Sequence, residues 1–219
     1  MKKIDRTKAI VFISVRLSVI IAGVIAVLNR NWMYLGMSVL TLLIMLLPSI
    51  AEKKLKLDFP SEFDIIVILF IYAALFLGEL YQFYERFWWW DTMLHSFSGL
   101  ILGNIGYALV SYLNGNNNLN INLSPVFVAL FSFCFALSIG ALWEIYEFSM
   151  DSFFGLNMQR TGLDDTMKDL ILDTLGALSF GVLGYYHQHG RINLISKYIV
   201  KHNFEQLPPD PGHNKDFGA

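Results

Sequence analysis

Residues 124–148 read SPVFVALFSFCFALSIGALWEIYEF, and the first 20 of these positions contain no charged residue. A transmembrane α-helix needs about 20 predominantly apolar residues, so this stretch predicts a membrane span. Its end contains two acids, Glu144 and Glu147, which lie about one helical turn apart. The stretch therefore predicts both a membrane helix and a pair of ionisable groups at one end of it.

Five further stretches have the same character. Predicted helices lie at about 9–28, 33–50, 63–83, 93–113 and 168–187, which makes six with the first. The composition agrees, because the 219 residues are 55% hydrophobic and only 16% charged, whereas roughly 25% is usual in soluble domains. We expect an all-α, polytopic membrane bundle over residues 1–190 with the lipid bilayer as its partner. A net charge of −2 does not favour a nucleic-acid partner.

The basic residues predict how this bundle is oriented. Eleven lysines and arginines flank the side that carries both termini, and four flank the opposite side. By the positive-inside rule both termini lie in the cytoplasm, and the protein is expected in a bacterial plasma (inner) membrane. Residues 191–219 form the predicted cytoplasmic tail, which is amphipathic at first and then proline-rich and disordered.

Acidic residues concentrate at the other side of the predicted membrane. Ten of the 18 fall between Glu79 and Asp173, at or inside the ends of the apolar stretches. An ionisable group within the membrane costs several kcal/mol unless it faces a partner, an ion or water, so such groups indicate a functional site. The predicted topology brings the ends of the third and fifth helices and the starts of the fourth and sixth to the outer face.

Helical spacing divides these acids into three groups, each on one helix face. They are Asp91 with His95, then Glu144, Glu147 and Asp151, and then Asp165, Asp169 and Asp173. Like charges along one stripe repel each other. A cation should therefore lie among them: a divalent metal, the side chains of Arg160 and Lys168, or protons bound by the carboxyl groups. Carboxylates with one imidazole suit Mg²⁺, Mn²⁺ or Fe.

A purely structural alternative remains open. Arg86, Arg160 and Lys168 could pair with the carboxylates, and Asp164 and Asp165 could cap the sixth helix. Small residues predict where helices approach closely, and Gly155 and Gly162 bracket a loop that could cover the site. The predicted close-packing positions are Gly99, Gly103, Gly106, Gly176, Gly181 and Gly184.

Three motifs resemble those of the VanZ-like family of bacterial membrane proteins. They are a D-x-x-x-H at a helix start, Asp91 to His95; an E-x-x-Q-like Glu144 to Glu147; and an arginine before a D-x-x-x-N-x-x-G-like segment, Arg160 and Asp169 to Gly176. The resemblance covers about residues 60–187. This chain departs from the pattern by having Thr92 for lysine, Glu147 for glutamine and Asp173 for asparagine. A related inner-membrane family with a W-D-x-x-x-H motif is the alternative resemblance.

Two classes of function fit these residues, with a scaffold as a third. In the first, a metal-dependent hydrolase or transferase acts on a lipid-linked or envelope substrate. Here the expected metal ligands are Glu144, Glu147, Asp169 and Asp173, the catalytic pair is His95 with Asp91, and the substrate-binding residues are Arg160, Asp151 and Asp165. In the second, the same acids bind or pass protons or divalent cations without covalent chemistry. A non-catalytic membrane scaffold would use them only to hold helices together.

Overall fold

The computed structural model describes residues 3–55, 59–114, 122–155 and 157–188. All regular structure in these residues is helical. The α-helices are α1 (Lys3–Leu28), α2 (Trp32–Ile44), α3 (Leu47–Leu55), α4 (Ser61–Ile71), α5 (Phe83–Arg86), α6 (Trp90–Asn114), α7 (Pro125–Phe154) and α8 (Leu163–Gln188), and a π-helix, Tyr72–Leu80, continues α4. The predicted tail, residues 191–219, lies outside the described residues.

The predicted single helix 33–50 is divided in the structure. Helix α2 ends at Ile44 and α3 begins at Leu47, so Met45 and Leu46 form the break. Pro48 follows at the second position of α3. Proline has no backbone N–H and is tolerated in the first turn of a helix but not in its interior, which accounts for the division. The two helices still form one continuous apolar stretch, Trp32–Lys54.

The third predicted helix also differs from a single regular one. The backbone N–H of Tyr81 donates to the carbonyl of Phe76 at 3.1 Å, the five-residue step of a π-helix. Gln82 then has a left-handed backbone with φ of 58° before the short α5. The span Ser61–Leu80 is therefore α-helical at first and π-helical at its end.

Helix α7 extends beyond its predicted end at residue 148. The Ser124 side chain accepts a hydrogen bond from the Phe127 N–H, which caps the start of the helix. The helix stops only at Gly155, whose left-handed φ of 65° is a conformation that glycine adopts without steric cost. Asp151 consequently lies inside the last turns of α7.

Five helical segments are long and apolar enough to cross a membrane. They are Arg6–Leu28, Trp32–Lys54, Ser61–Leu80, Trp90–Asn114 and Pro125–Phe154. The sixth predicted span corresponds to α8, which is 26 residues long. Its first half contains Asp164, Asp165, Lys168, Asp169 and Asp173, and such charged residues lower the hydropathy of a segment. The chain is thus an all-helical membrane protein with five segments of spanning character in its described part.

The helices pack in two groups. In the first, α6, α7 and α8 each contact the other two. In the second, α1 packs against α2 and α4, and α2 packs against the π-helix. An ion pair between Lys8 of α1 and the buried Asp64 of α4 links two helices of this second group. Phe63 and Val67 of α4 contact Ile101 of α6, which joins the two groups.

Helices α6 and α8 approach each other at paired glycines. A Cβ atom added to Gly99 would lie 2.5 Å from the carbonyl oxygen of Asp173, and one added to Gly176 would lie 2.8 Å from that of Ser96. These contacts are to backbone, which cannot move aside as a side chain can. The predicted close packing at Gly99 and Gly176 is confirmed, and it brings the first turns of α6 directly against α8.

Gly99→Ala should therefore lower the thermal stability of the detergent-solubilised protein, because overpacking typically costs about 1–3 kcal/mol. Gly36→Ala is the matched control, since an added Cβ at Gly36 meets nothing within 4 Å. In that open helical position alanine is expected to be neutral or stabilising by up to about 1 kcal/mol. Melting curves of the two variants in one detergent measure the difference. Equal melting temperatures would contradict the proposed contact.

Candidate functional site

His95 lies at the centre of a buried acidic cluster. It belongs to the second turn of α6, and its side chain faces carboxylates from α6, α7 and α8. Its Nε2 atom lies 3.7 Å from Asp91 Oδ1 and 3.9 Å from Glu144 Oε1, and its Nδ1 atom lies 3.2 Å from Asp173 Oδ2. Both ring nitrogens therefore face carboxylate oxygen, and three helices contribute to one site.

The burial of this cluster is nearly complete. The exposed fractions are 7% for His95, 4% for Glu144, 4% for Asp169 and 1% for Asp173. Asp91 is somewhat more accessible, with 17% of its side chain exposed. Burying several carboxylates together is strongly unfavourable unless a cation or protons accompany them. The structure therefore shows the buried acidic cluster that the spacing of these residues predicts.

Asp173 is held by two partners. Its Oδ2 atom pairs with His95 Nδ1, and its Oδ1 atom accepts a hydrogen bond from the Ser98 hydroxyl. Helix α7 makes room for it at Gly140, where an added Cβ would lie 2.5 Å from Oδ2. In a neutral imidazole that donates Nδ1–H to Asp173, the lone pair of Nε2 would face Asp91 and Glu144.

Asp91, His95 and Asp169 have the spacing of a metal-ligand set. One ligand atom from each lies within 4.8 Å of the other two. The Glu144 carboxylate is adjacent to this set, and neither of its buried oxygens accepts a hydrogen bond. Thr166 lies beside that carboxylate without the geometry of a hydrogen bond. A bound cation with a coordinated water would supply what these two oxygens lack.

This grouping divides the predicted residues differently from the sequence. Asp169 belongs both to the ligand set predicted from the sequence and to the set of three found in the structure. Asp91 and His95 belong to the structural set, whereas the sequence predicts them as the catalytic pair. Glu144 and Asp173 are not members of the three-residue set. Each has a carboxylate oxygen within 4 Å of a ring nitrogen of His95. Glu147 is half-buried and accepts a hydrogen bond from the indole N–H of Trp143 at 2.9 Å.

The residues expected to bind substrate are spread around the cluster. Asp151 accepts two backbone hydrogen bonds, from Met158 N at 2.7 Å and from Gln159 N at 2.8 Å. It therefore holds the loop between α7 and α8. Asp165 is half-buried in the first turn of α8. The guanidinium of Arg160, in the loop, lies over the ring of Tyr84 at 4.8 Å from the ring centroid.

The sequence reasoning did not single out Ser98, Gly140 or Tyr84. Two of them carry a positional signal. Ser98 is three residues after His95, and Gly140 is four residues before Glu144, so each shares a helix face with a predicted site residue. Tyr84 has no comparable signal, because it reaches the site through the turn between the π-helix and α5.

Comparison with known proteins agrees with the membrane architecture. Residues 7–190 match the model of a family described as predicted membrane protein, DUF2238. The chain belongs to this family. A Thermotoga maritima protein described only as uncharacterized is 28% identical over 144 residues, which cover 66% of this chain and 72% of that protein. No solved structure matches the chain. Membership of DUF2238 thus supports a membrane protein, and any chemistry has to be argued from the geometry of the site.

The loop role of Asp151 can be tested directly. Asp151→Ala removes the acceptor of two backbone N–H groups, and each loss of a buried or half-buried acceptor costs about 1–3 kcal/mol. We expect faster hydrogen–deuterium exchange at Met158 and Gln159 in this variant. Asp164→Ala is the control, because Asp164 is exposed in the first turn of α8. Unchanged exchange at both amides would contradict the anchoring role.

Proposed function

We propose that this DUF2238 protein binds a divalent metal through Asp91, His95 and Asp169 and uses it for hydrolysis or group transfer on a lipid-linked or envelope substrate. The observation that carries the proposal is the Glu144 carboxylate, which is only 4% exposed beside the three ligands and accepts no hydrogen bond at either oxygen. Carboxylates with one imidazole suit Mg²⁺, Mn²⁺ or Fe(II). A cation there would compensate the charge that burial otherwise penalises.

The contacts of His95 support a ligand role for its Nε2 atom. Histidines that ligate metals usually donate their other ring N–H to a carboxylate, which sets the tautomer and the ring orientation. Asp173 occupies that position at 3.2 Å from Nδ1, and Ser98 fixes Asp173 in turn. Asp173 is thereby proposed as a positioning residue, whereas the sequence had suggested a direct ligand.

The remaining residues suggest how a reaction would proceed. A bound divalent ion lowers the pKa of a coordinated water and polarises a carbonyl or phosphoryl oxygen. Glu144 lies 3.9 Å from His95 Nε2 and can accept a proton from a nucleophile at this point. Arg160 would contact an anionic group of the substrate. Glu147 and Asp165 are half-buried near the same end of the bundle, where they add negative charge that favours a cation.

The alternatives have less support. A scaffold would pair each acid with a lysine or arginine, yet in the described residues the ion pairs of Asp91, Glu144 and Asp173 are all with His95. A transport pathway needs polar groups that continue across the membrane. From Thr174 to Gln188 helix α8 contains no acidic residue. The motif resemblance to the VanZ-like family remains a hypothesis that would extend this site to those proteins.

Metal content tests the proposal. The purified protein, loaded with Mn²⁺ and then gel-filtered, should retain the ion, and Asp91→Asn or Asp169→Asn should lower the affinity by about tenfold or more. Asp173→Asn should lower it by about 10–100-fold, as outer-shell substitutions do. Asp164→Asn, an exposed acid on the same helix, is the control. Retention of Mn²⁺ by both ligand variants, or no retention by the unaltered protein, would overturn the metal site.

We further propose that α8 is the sixth membrane span, that both termini are cytoplasmic, and that the site faces the outside of a bacterial plasma membrane. The support is the contact of α8 with α6 and α7 together with the lysine and arginine bias. In a Cys134→Ser background, a membrane-impermeant maleimide should label Asp164→Cys on intact cells. Lys53→Cys should be labelled only after permeabilisation. The reverse pattern would invert the orientation.

A further inference from the structure

A partly open cavity of about 310 Å³ lies where the two helix groups meet. Val67, Phe70 and Leu75 line it from α4 and the π-helix, and Leu102 and Ile105 line it from α6. Its volume is at the lower end of the range for small-molecule pockets in proteins. The cavity is therefore large enough for part of a ligand, and both helix groups are needed to form it.

One end of this cavity is polar. His95, Ser98 and Asp173 line it, and the rest of the wall is predominantly aliphatic and aromatic. An apolar cavity of this kind does not hold water well, because water needs several polar partners. The cavity thus fits a ligand with an apolar chain whose polar end lies on the side of these three residues.

Tyr84 connects the cavity to a positive charge. Its ring lines the cavity and also lies under the Arg160 guanidinium, 4.8 Å from the ring centroid. Gly78 allows this position, because a Cβ added there would collide with the Tyr84 ring. In the described residues Arg160 forms no ion pair with a carboxylate. Its charge is close enough to act on the carboxylates of Glu79 and Asp91.

We propose that the cavity binds one hydrocarbon chain of a membrane phospholipid whose phosphate contacts Arg160. Arginine offers a planar set of donors that matches phosphate geometry, and its stacking on Tyr84 leaves the N–H edge available. This names the substrate class of the proposed site. The reaction rests on the proposed function, whereas occupation of the cavity does not require the metal.

A photoreactive lipid tests the chain. Phosphatidylglycerol with a diazirine in one acyl chain, added to nanodiscs that contain the full protein, should label cavity residues such as Leu75 or Ile105 after illumination. Ala74 lines the cavity, so Ala74→Phe should reduce this labelling by about tenfold or more. The control is Ala73→Phe, at the neighbouring position outside the lining. Labelling confined to lipid-facing side chains such as Leu69, or unaffected by Ala74→Phe, would overturn the proposal.

A second variant and a second probe test the chain site and the phosphate contact separately. Ile105→Phe fills the cavity from the opposite wall and replaces Ala74→Phe if that protein misfolds. Arg160→Gln should weaken labelling by the phosphatidylglycerol probe but not by a diazirine diacylglycerol, which lacks phosphate. An equal effect on both probes would overturn the phosphate contact. Mn²⁺ retention measured on the same preparations distinguishes the two proposals. Labelling of the cavity without Mn²⁺ binding would support only the lipid site, and Mn²⁺ binding without labelling would support only the metal site.

Discussion

The cost of burying several carboxylates around one imidazole governs this structure. Asp173, Glu144 and Asp169 are each at most 4% exposed and face His95 or the same small volume. A single imidazole, even when protonated, supplies one positive charge. The described residues supply no lysine or arginine ion pair to these acids. Bound protons, or the cation that we propose, would compensate this charge.

Close helix packing holds this costly arrangement in place. The glycine contact between α6 and α8 lets Asp173 reach both His95 and Ser98, and Gly140 of α7 leaves the space that the Asp173 carboxylate occupies. With a larger residue at Gly140, the carboxylate would have to move away from the imidazole. The small residues are therefore part of the site, although they carry no chemistry of their own.

The junction of the two helix groups gives the site its second property. The acidic cluster belongs to α6, α7 and α8, whereas much of the apolar cavity wall comes from α4 and the π-helix. This junction is where we propose that a phospholipid chain binds. Arg160, from the loop between α7 and α8, and Tyr84, from α5, lie beside that junction.

The sequence by itself determined the helical membrane class, five of the spanning segments and the residues of the acidic cluster, because hydrophobic length and the cost of buried charge can be read from order alone. The division of 33–50 just before Pro48 was also predictable in principle from the proline. The tertiary structure alone decided which atoms meet. It brought the Asp173 carboxylate to Nδ1 of His95 and the Asp151 carboxylate to the loop after α7. These contacts depend on how α6, α7 and α8 cross, and residue spacing within one helix carries no information about the crossing.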